Sequence, residues 1–278
     1  MAFNDKHKSL YLGEPVFLYD ITMGSVTHRH TAAELPITVG ATTWATHPGI
    51  IHSDVSDAGD QAAKEVTIAL GATHPVAVYL SAYIPTIEIT VKIYLLERGD
   101  VAEEMPLYWS GTFTRYRQHA PSFDLICEPA DYEHGKEAMA PNYGPDCQWS
   151  QYDPNCQLAP GAFVEAGAVL SVSDLTINTD ASLTAVAADH FQGGYIEITG
   201  DYGLERAWIL SQSGNSVGID RVLPAMVGGV AINCYPSCRG DFARCNTIFT
   251  NRLRFVGAPH ANMVNPFRGE GVKATERN

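Results

Sequence analysis

The sequence predicts a mainly β protein with two domains, and three observations lead to that prediction. Apolar and polar residues alternate along several short runs, most clearly from Ile87 to Leu95, as in half-buried strands. Turn-forming residues separate these runs at short intervals. A segment rich in Pro, Gly, Asn and Asp, from about Glu128 to Pro160, interrupts the pattern. We place the domains at residues 1–130 and 131–278.

The first domain is predicted to open with a β-hairpin, because Gly24 separates two runs of alternating character. A short helix is expected at His74–Leu80, with Pro75 in its first turn and Pro85 after its end. The predicted strands are Val16–Ile21, Val26–His30, Ile37–Val39, Thr42–Trp44, Glu65–Leu70, Ile87–Leu95, Tyr108–Gln118 and Ser122–Cys127.

The second domain is predicted to contain a small barrel or sandwich over about residues 161–232. Short strands with turn signals at regular spacing are typical of such folds. The predicted strands are Phe163–Leu170, Thr176–Ile177, Leu183–Val186, Tyr195–Ile198, Arg206–Leu210 and Val217–Ile219.

Composition excludes several classes of function. The 278-residue chain has 18 basic and 31 acidic residues, a formal charge of −13, and no basic stripe, which argues against tight nucleic-acid binding. No run approaches the roughly 18 apolar residues of a membrane span, and the N-terminus lacks the apolar core of a signal peptide. Six cysteines are few for a disulfide scaffold of this length, which favours a metal site.

Four of the cysteines form two close pairs. Eight residues separate Cys147 from Cys156, six separate Cys238 from Cys245, and about eighty lie between the pairs. Close pairs on turn-rich loops can direct their thiolates at one metal centre, and Asp241 is placed to cap a short helix carrying Cys245. Spacing alone leaves zinc, an iron–sulfur cluster, and buried or disulfide-paired thiols open.

The other two cysteines are expected to play smaller parts. Cys127 falls in a strand pattern and is predicted to be a core thiol. Cys234 lies four positions before Cys238, either as a free thiol beside the site or as its replacement.

The residues around the second pair resemble a known family. The stretch Cys238–Phe267, reading CRGDFARC, TIFTN and RFVGAPHANMVNPF, resembles the C-terminal signature of tail-tip hub proteins of long-tailed phages and gene transfer agents. Relatives include the lambdoid minor tail protein that carries an iron–sulfur cluster. Leu18–Gly24 resembles the family's opening strand, and Phe191–Ile196 resembles its F-x-G-G strand.

The resemblance implies specific expectations for the site. Both cysteine spacings match those of the family's cluster ligands, which fall on Cys147, Cys156, Cys238 and Cys245. The implied cofactor is an iron–sulfur cluster in the four-iron form, with structural zinc as the alternative. The cluster would hold the two halves of the C-terminal domain together.

The resemblance also implies a place in a particle. The N-terminal domain would be a tube-like β-barrel or sandwich in a homotrimeric ring, joining the distal tail protein to the tip or central fibre protein. The protein would be a structural virion component of the phage tail tip, assembled in the host cytoplasm, with DNA passing through the lumen. Ile87–Leu95 would be a candidate β edge for contacts between neighbours.

Catalytic alternatives rest on weaker patterns, and we predict no enzyme activity. His28 and His30 share one face of a strand, but surface or core histidines explain them as well. Cys127 with His134 lacks a nucleophile signature, and Asp20 with Glu34 is one of many acidic pairs. A tail-associated cell-wall hydrolase or peptidase is the alternative function, and a redox or metal sensor is a further one.

Overall fold

The structure, a computed structural model, describes residues 14–55, 65–98, 104–119, 122–130, 144–180, 183 and 189–260. It is mainly β, as predicted. The chain divides into two compact units: residues 1–137, 198–206 and 222–225 form the first unit, and residues 138–197, 207–221 and 226–278 form the second.

The first unit is built on a nine-stranded sheet of order β3-β4-β2-β1-β7-β8-β9-β6-β5. The pairs are antiparallel except for β2 with β4, which run parallel. The strands are β1 (Pro15–Met23), β2 (Val26–Thr31), β3 (Ile37–Val39), β4 (Thr42–Thr46), β5 (Ile51–His52), β6 (Val66–Gly71), β7 (Ile89–Glu97), β8 (Leu107–His119) and β9 (Ser122–Pro129).

The position of β7 corrects one expectation. The alternating run was expected to lie at an exposed edge, but β7 pairs with β1 on one side and with β8 on the other. Its alternation reflects burial on one face of a central strand, which a period of two cannot distinguish from an edge strand. Both backbone edges of this strand are therefore used inside the first unit.

Helix α1 (Pro75–Ala82) covers one face of the sheet. His74 caps it, and Pro75 lies in its first turn, as predicted. The helix packs Val76, Ala77, Tyr79 and Leu80 into the same buried cluster as Ile21, Ile68, Val91 and Leu125. A smaller cluster of Leu18, Trp44 and Leu96 lies apart from this core. Alternate residues of β1 therefore enter two different clusters.

The second unit carries most of a closed six-stranded barrel of order β10-β11-β14-β13-β12-β15, which confirms the predicted small barrel. The strands are β10 (Glu165–Ser173), β11 (Thr176–Thr179), β12 (Tyr195–Gly200), β13 (Gly203–Ser213), β14 (Ser216–Ile219) and β15 (Ala231–Tyr235). Of the predicted strand Leu183–Val186, only the buried Leu183 lies within the described residues.

Strand β15 corrects the position of Cys234. No strand was predicted here, and Cys234 was expected beside the cysteine site or in it, but the segment pairs with both β10 and β12 and closes the barrel. Cys234 is fully buried there, opposite Glu165 and Ile196. The cysteine loop begins only after Tyr235.

Within the described part of the chain, no helix is long and apolar enough to cross a membrane.

Candidate metal centre

The first cysteine loop is held by its own side chains. The Asp153 carboxylate accepts hydrogen bonds from the backbone N–H groups of Asn155, at 2.7 Å, and of Cys156, at 2.6 Å. Tyr152 and Gln157 adopt φ values of 67° and 58°, in the left-handed region that non-glycine residues seldom occupy. The loop therefore turns sharply on both sides of the buried Cys156, and Asp153 fixes the turn.

The second cysteine loop leads into helix α2 (Phe242–Thr247). Asp241 caps this helix by accepting from the Ala243 N–H at 2.9 Å, as predicted, and Cys245 is its buried residue. Before the cap, Arg239 has a φ of 51° and Gly240 a φ of 70°, so the chain reverses just after Cys238. These two residues bring Cys238 and Cys245 to the same end of the loop.

Gln151 joins the two loops by two hydrogen bonds. Its amide nitrogen donates to the Pro236 carbonyl at 2.7 Å, and its amide oxygen accepts from the Cys238 N–H at 3.0 Å. One side chain of the first loop thus pairs with the backbone of the second loop as a strand would. The hydrogen bond from the Cys238 N–H to Gln151 helps to position Cys238, one of the four candidate ligands.

Two further contacts connect cysteines of different loops. The Cys147 N–H donates to the Gly240 carbonyl at 2.8 Å. The Asn251 side chain donates to the Cys156 carbonyl at 2.8 Å and lies 3.8 Å from the Cys156 sulfur, while the Asn251 N–H donates to the Cys245 carbonyl at 3.0 Å. Each loop is therefore fixed to the other at both of its cysteines.

The segment after α2 packs against the start of the first loop. The Ala258 N–H donates to the Gly144 carbonyl at 2.8 Å. A Cβ added to Gly257 would lie 2.5 Å from the Pro145 carbonyl oxygen and 2.6 Å from the Asp146 carbonyl, closer than van der Waals contact allows. Only glycine fits this approach, two residues from Cys147. The remainder of the family's tail signature, from Ala261 on, lies outside the described residues.

The four thiols lie near enough for their charges to interact. Burial, followed by Cys156 and Cys147, raises the pKa of Cys238. Burial, followed by Cys238, Cys147 and Cys156, raises the pKa of Cys245 to about 11. Negative charge on the neighbouring thiols thus opposes the ionisation of Cys238 and of Cys245. Four thiolates would coexist here only with a cation between them, which is the donor set of zinc or of an iron–sulfur cluster.

The four cysteines supply only sulfur donors. Among the described residues, no group of three or more His, Cys, Asp or Glu side chains is arranged to hold a metal ion. The chemistry of four thiols fits zinc and an iron–sulfur cluster alike.

A positive charge and aromatic rings surround the cysteine loops. Arg244 has an 11% exposed side chain and donates to the carbonyls of Ser237, at 2.9 Å, and His190, at 2.8 Å. Phe249 contacts Phe163, with ring centroids 4.9 Å apart, and lies 6.5 Å from the Tyr152 ring. Arg244 holds the second loop against the segment before β12, and it places a cation beside the group of thiols.

The remaining sequence candidates separate from this centre. Cys127 is fully buried on β9, and burial raises its pKa to about 12, so it is a core thiol as predicted. Burial raises the pKa of Cys234 likewise to about 12 in the barrel. Asp20 accepts from the Trp44 indole at 2.6 Å and pairs with Arg29, a structural arrangement. His134 lies outside the described residues.

Comparison with known proteins identifies the fold. No protein-family model matches the chain, and no curated protein matches it in sequence. A chain from the virion of a native gene transfer agent particle is similar in structure, with a TM-score of 0.77 over 99% of this chain and 97% of that chain. The two chains share one fold. Their sequences are only 12% identical, so the similarity extends to architecture and not by itself to ligands or partners.

Sequence reasoning found the four cysteines but missed the residues that bring them together. Gln151, Asn251 and Arg244 each act on carbonyl or N–H groups more than fifty residues away or in the other loop. The unusual φ values supply a signal only in the structure. Four of the five non-glycine residues with positive φ in the described chain lie in or beside these loops: Tyr152, Gln157, Arg239 and Thr250.

Proposed function

We propose that this protein is a structural component of a phage-like particle, namely a tail-tip or baseplate hub whose cysteine loops hold an iron–sulfur cluster. The observation that carries the proposal is the similarity of nearly the whole chain, over 97% of the other chain, to a protein of a gene transfer agent virion. A fold shared over nearly the whole length of both chains is more specific than one shared barrel would be.

The proposed centre is structural. Cys147 and Cys156 would bind from the first loop, and Cys238 and Cys245 from the second. Bound there, the cluster supplies a covalent link between two segments about eighty residues apart in the sequence. Gln151 and Asn251 orient the loops, and Arg244 offsets part of the negative charge of four thiolates. In the described residues, the hydrogen bonds above, the contact of Tyr152 with Phe249 and the packing of Gly257 on Asp146 also join these segments.

The proposed assembly is a homotrimeric ring between the distal tail protein and the tip or central fibre protein. This part of the proposal rests on the family resemblance of the cysteine segment and of the opening strand. The charge of −13 suits a passage along which DNA slides without binding tightly.

A complementation experiment tests the hub role. In cells that lack the gene, we expect particles without functional tail tips, and we expect the wild-type protein to restore them and to copurify with tails in a fixed ratio. Cys147→Ala and Cys245→Ala should fail to restore tails. Cys234→Ala, which also removes a thiol but lies in the barrel strand β15, should restore tails. Normal tails without the protein would refute the role.

Metal analysis tests the centre separately. Anaerobically purified protein should contain iron and acid-labile sulfide in equal amounts, and alanine at any of the four paired cysteines should remove both. Alanine at Cys127 or Cys234 should leave them in place. Zinc without sulfide would refute the cluster but leave the hub role standing, and so would the absence of any metal.

A further inference from the structure

Four histidines of the first unit come together away from the cysteine loops; we call them the histidine cluster. His28 and His30 lie on β2, His47 directly follows β4, and His74 caps α1. Their ring centroids lie 4.5 Å apart for His30 and His74, 4.8 Å for His47 and His74, 5.3 Å for His30 and His47, and 6.1 Å for His28 and His74. The cluster thus joins three separate elements.

Each of the four rings has a buried nitrogen without a hydrogen-bond partner among the described residues. These atoms are His28 Nε2, His30 Nδ1, His47 Nε2 and His74 Nε2. His74 itself is fully buried. Buried polar atoms are nearly always paired, so four such atoms in one place are unusual. Neutral rings tolerate this arrangement far better than charged ones would, because an unpaired buried charge loses its hydration.

The groups around the cluster provide little compensation for positive charge. In residues 198–206 the cluster faces Tyr202, whose ring lies 6.2 Å from that of His28, and Tyr202 in turn contacts Tyr79 of α1. Glu205 and Asp201 act on these tyrosines rather than on the histidines. On β2, the intervening Arg29 pairs with Asp20. Apart from a hydrogen bond to the Ala45 backbone that favours protonated His30, the groups that act on the charge of His30 are His47 and His28.

A metal site is the obvious alternative, and the geometry argues against it. The Nδ1 atom of His74 accepts from the Val76 N–H at 3.2 Å, so in the neutral ring its Nε2 carries the proton and has no lone pair for a metal. Among the described residues, no three of these side chains are arranged to hold an ion. Ring packing at these distances is ordinary for aromatic groups.

We infer that the histidine cluster is an acid-sensitive latch: its neutral rings hold β2, the end of β4 and the start of α1 together, and their protonation releases this part of the first unit. Protonating one ring places a charge beside three others within one buried group. The latch is independent of the cysteine loops and of the proposed role in a particle.

The sign of the pH dependence follows from the pKa shifts. Burial lowers the pKa of all four histidines from 6.5, and for His74 to about 3, with its three neighbours adding to the effect. The stability from neutral histidines is complete above pH 6.5 and declines as the pH falls below it. For each ring that stays neutral in the folded state, the ratio of folded to unfolded protein falls about tenfold with each pH unit below pH 6.5. Burial raises the pKa of Glu205, which opposes this trend. Glu205 can take up one proton, however, whereas the four histidines can take up four.

Hydrogen exchange on the full-length protein at pH 7.5 and pH 5.0, corrected for intrinsic rates, tests the latch. Peptides covering β2, residues 42–47 and α1 should open more at pH 5.0, while the barrel peptides serve as an internal reference. In His74→Asn, which keeps a capping side chain that does not titrate, the effect of acid should be smaller by about thirtyfold. His119→Gln is the control, because this histidine is exposed and pairs with Asp124.

Two results would overturn the inference. One is an unchanged response to acid in both His74→Asn and His30→Gln. The other is stoichiometric Zn²⁺ or Ni²⁺ binding at pH 7.5 that His30→Gln abolishes, which would make the cluster a metal site. If the variants fail to fold, an NMR titration of the wild-type rings decides: cluster histidines that titrate at or above pH 6.5 in the folded protein would overturn it, and rings that stay neutral below that pH would support it.

Discussion

The hydrogen bonds of Gln151 allow the most direct test of how the cysteine loops are held together. Replacing Gln151 with Met keeps most of the side-chain volume and removes both bonds, whereas Ala also removes the packing. In either variant the Pro236 carbonyl and the Cys238 N–H lose their partner. Pro236 is buried, so its carbonyl gains little from water in exchange.

The expected loss follows from these contacts. Each hydrogen bond contributes a net ~0.5–1.5 kcal/mol, and leaving a buried carbonyl unpaired costs about 1–3 kcal/mol. We therefore expect local opening of the second loop to become easier by about 2–4 kcal/mol in Gln151→Met. Asn178→Ala is the matched control, because it removes an exposed hydrogen bond to Ser171 in the same unit. Its effect should stay below ~0.5 kcal/mol.

Hydrogen exchange of metal-free protein measures this opening, since the Cys238 amide is itself the donor to Gln151. Exchange across residues 236–241 should accelerate, and the Cys147 amide, which donates to Gly240, should follow. Protein loaded with metal should lose it faster to a chelator in the variant. Exchange within ~0.5 kcal/mol of wild type in folded Gln151→Met would mean that other contacts hold the loops, and our account of the site would be wrong.

Three further predictions address separate contacts. Gly257→Ala should weaken the packing of the tail on the first loop by ~1–3 kcal/mol, whereas Gly161→Ala, with open space around its Cβ, should change stability by less than ~0.5 kcal/mol; thermal unfolding of both variants checks this. Asn251→Ala should lower the free energy of unfolding by ~1–2 kcal/mol. If a cluster is present, the variant should also have a more negative reduction potential, because a donor near the Cys156 sulfur is removed. Redox titration would show no shift if Asn251 only supports the backbone. Burial raises the pKa of Cys127 from 9.0 to about 12, so the folded state keeps this proton at a pH where the unfolded state loses it. The contribution of Cys127 to the free energy of unfolding is therefore fully present below pH 9 and should decline above it by ~1.4 kcal/mol per pH unit. Urea titrations at pH 8 and pH 10 should show a smaller decline in Cys127→Ala than in the wild-type protein.

Local patterns predicted most of the elements. The Gly24 hairpin, the helix after His74 and the Asp241 cap each depend on residues within a few positions of one another, so the sequence carries their signals in one place. The paired cysteine spacings belong to the same class. These signals fix where a loop or strand lies and say little about its partners.

What could not be predicted depends on contacts between distant segments. The alternation of β7 shows that one of its faces is buried, but it does not show whether its two backbone edges are paired. β15 was missed because its few residues run into a Pro- and Cys-rich loop, and only its pairing with β10 and β12 makes it a strand. His47 and His74 lie far from His28 in the sequence, and the sheet order together with the position of α1 brings the four rings together.

The ends of the nine-stranded sheet have a consequence for assembly. Its outer strands are β3, with three residues, and β5, with two, while its longer strands are paired on both sides. Within the described strands, a neighbouring molecule thus finds few free backbone groups along which to add a strand. Contacts to the described strands of the first unit would therefore be made mainly by side chains. Such side chains can change in sequence while the backbone pairing that defines the fold stays the same.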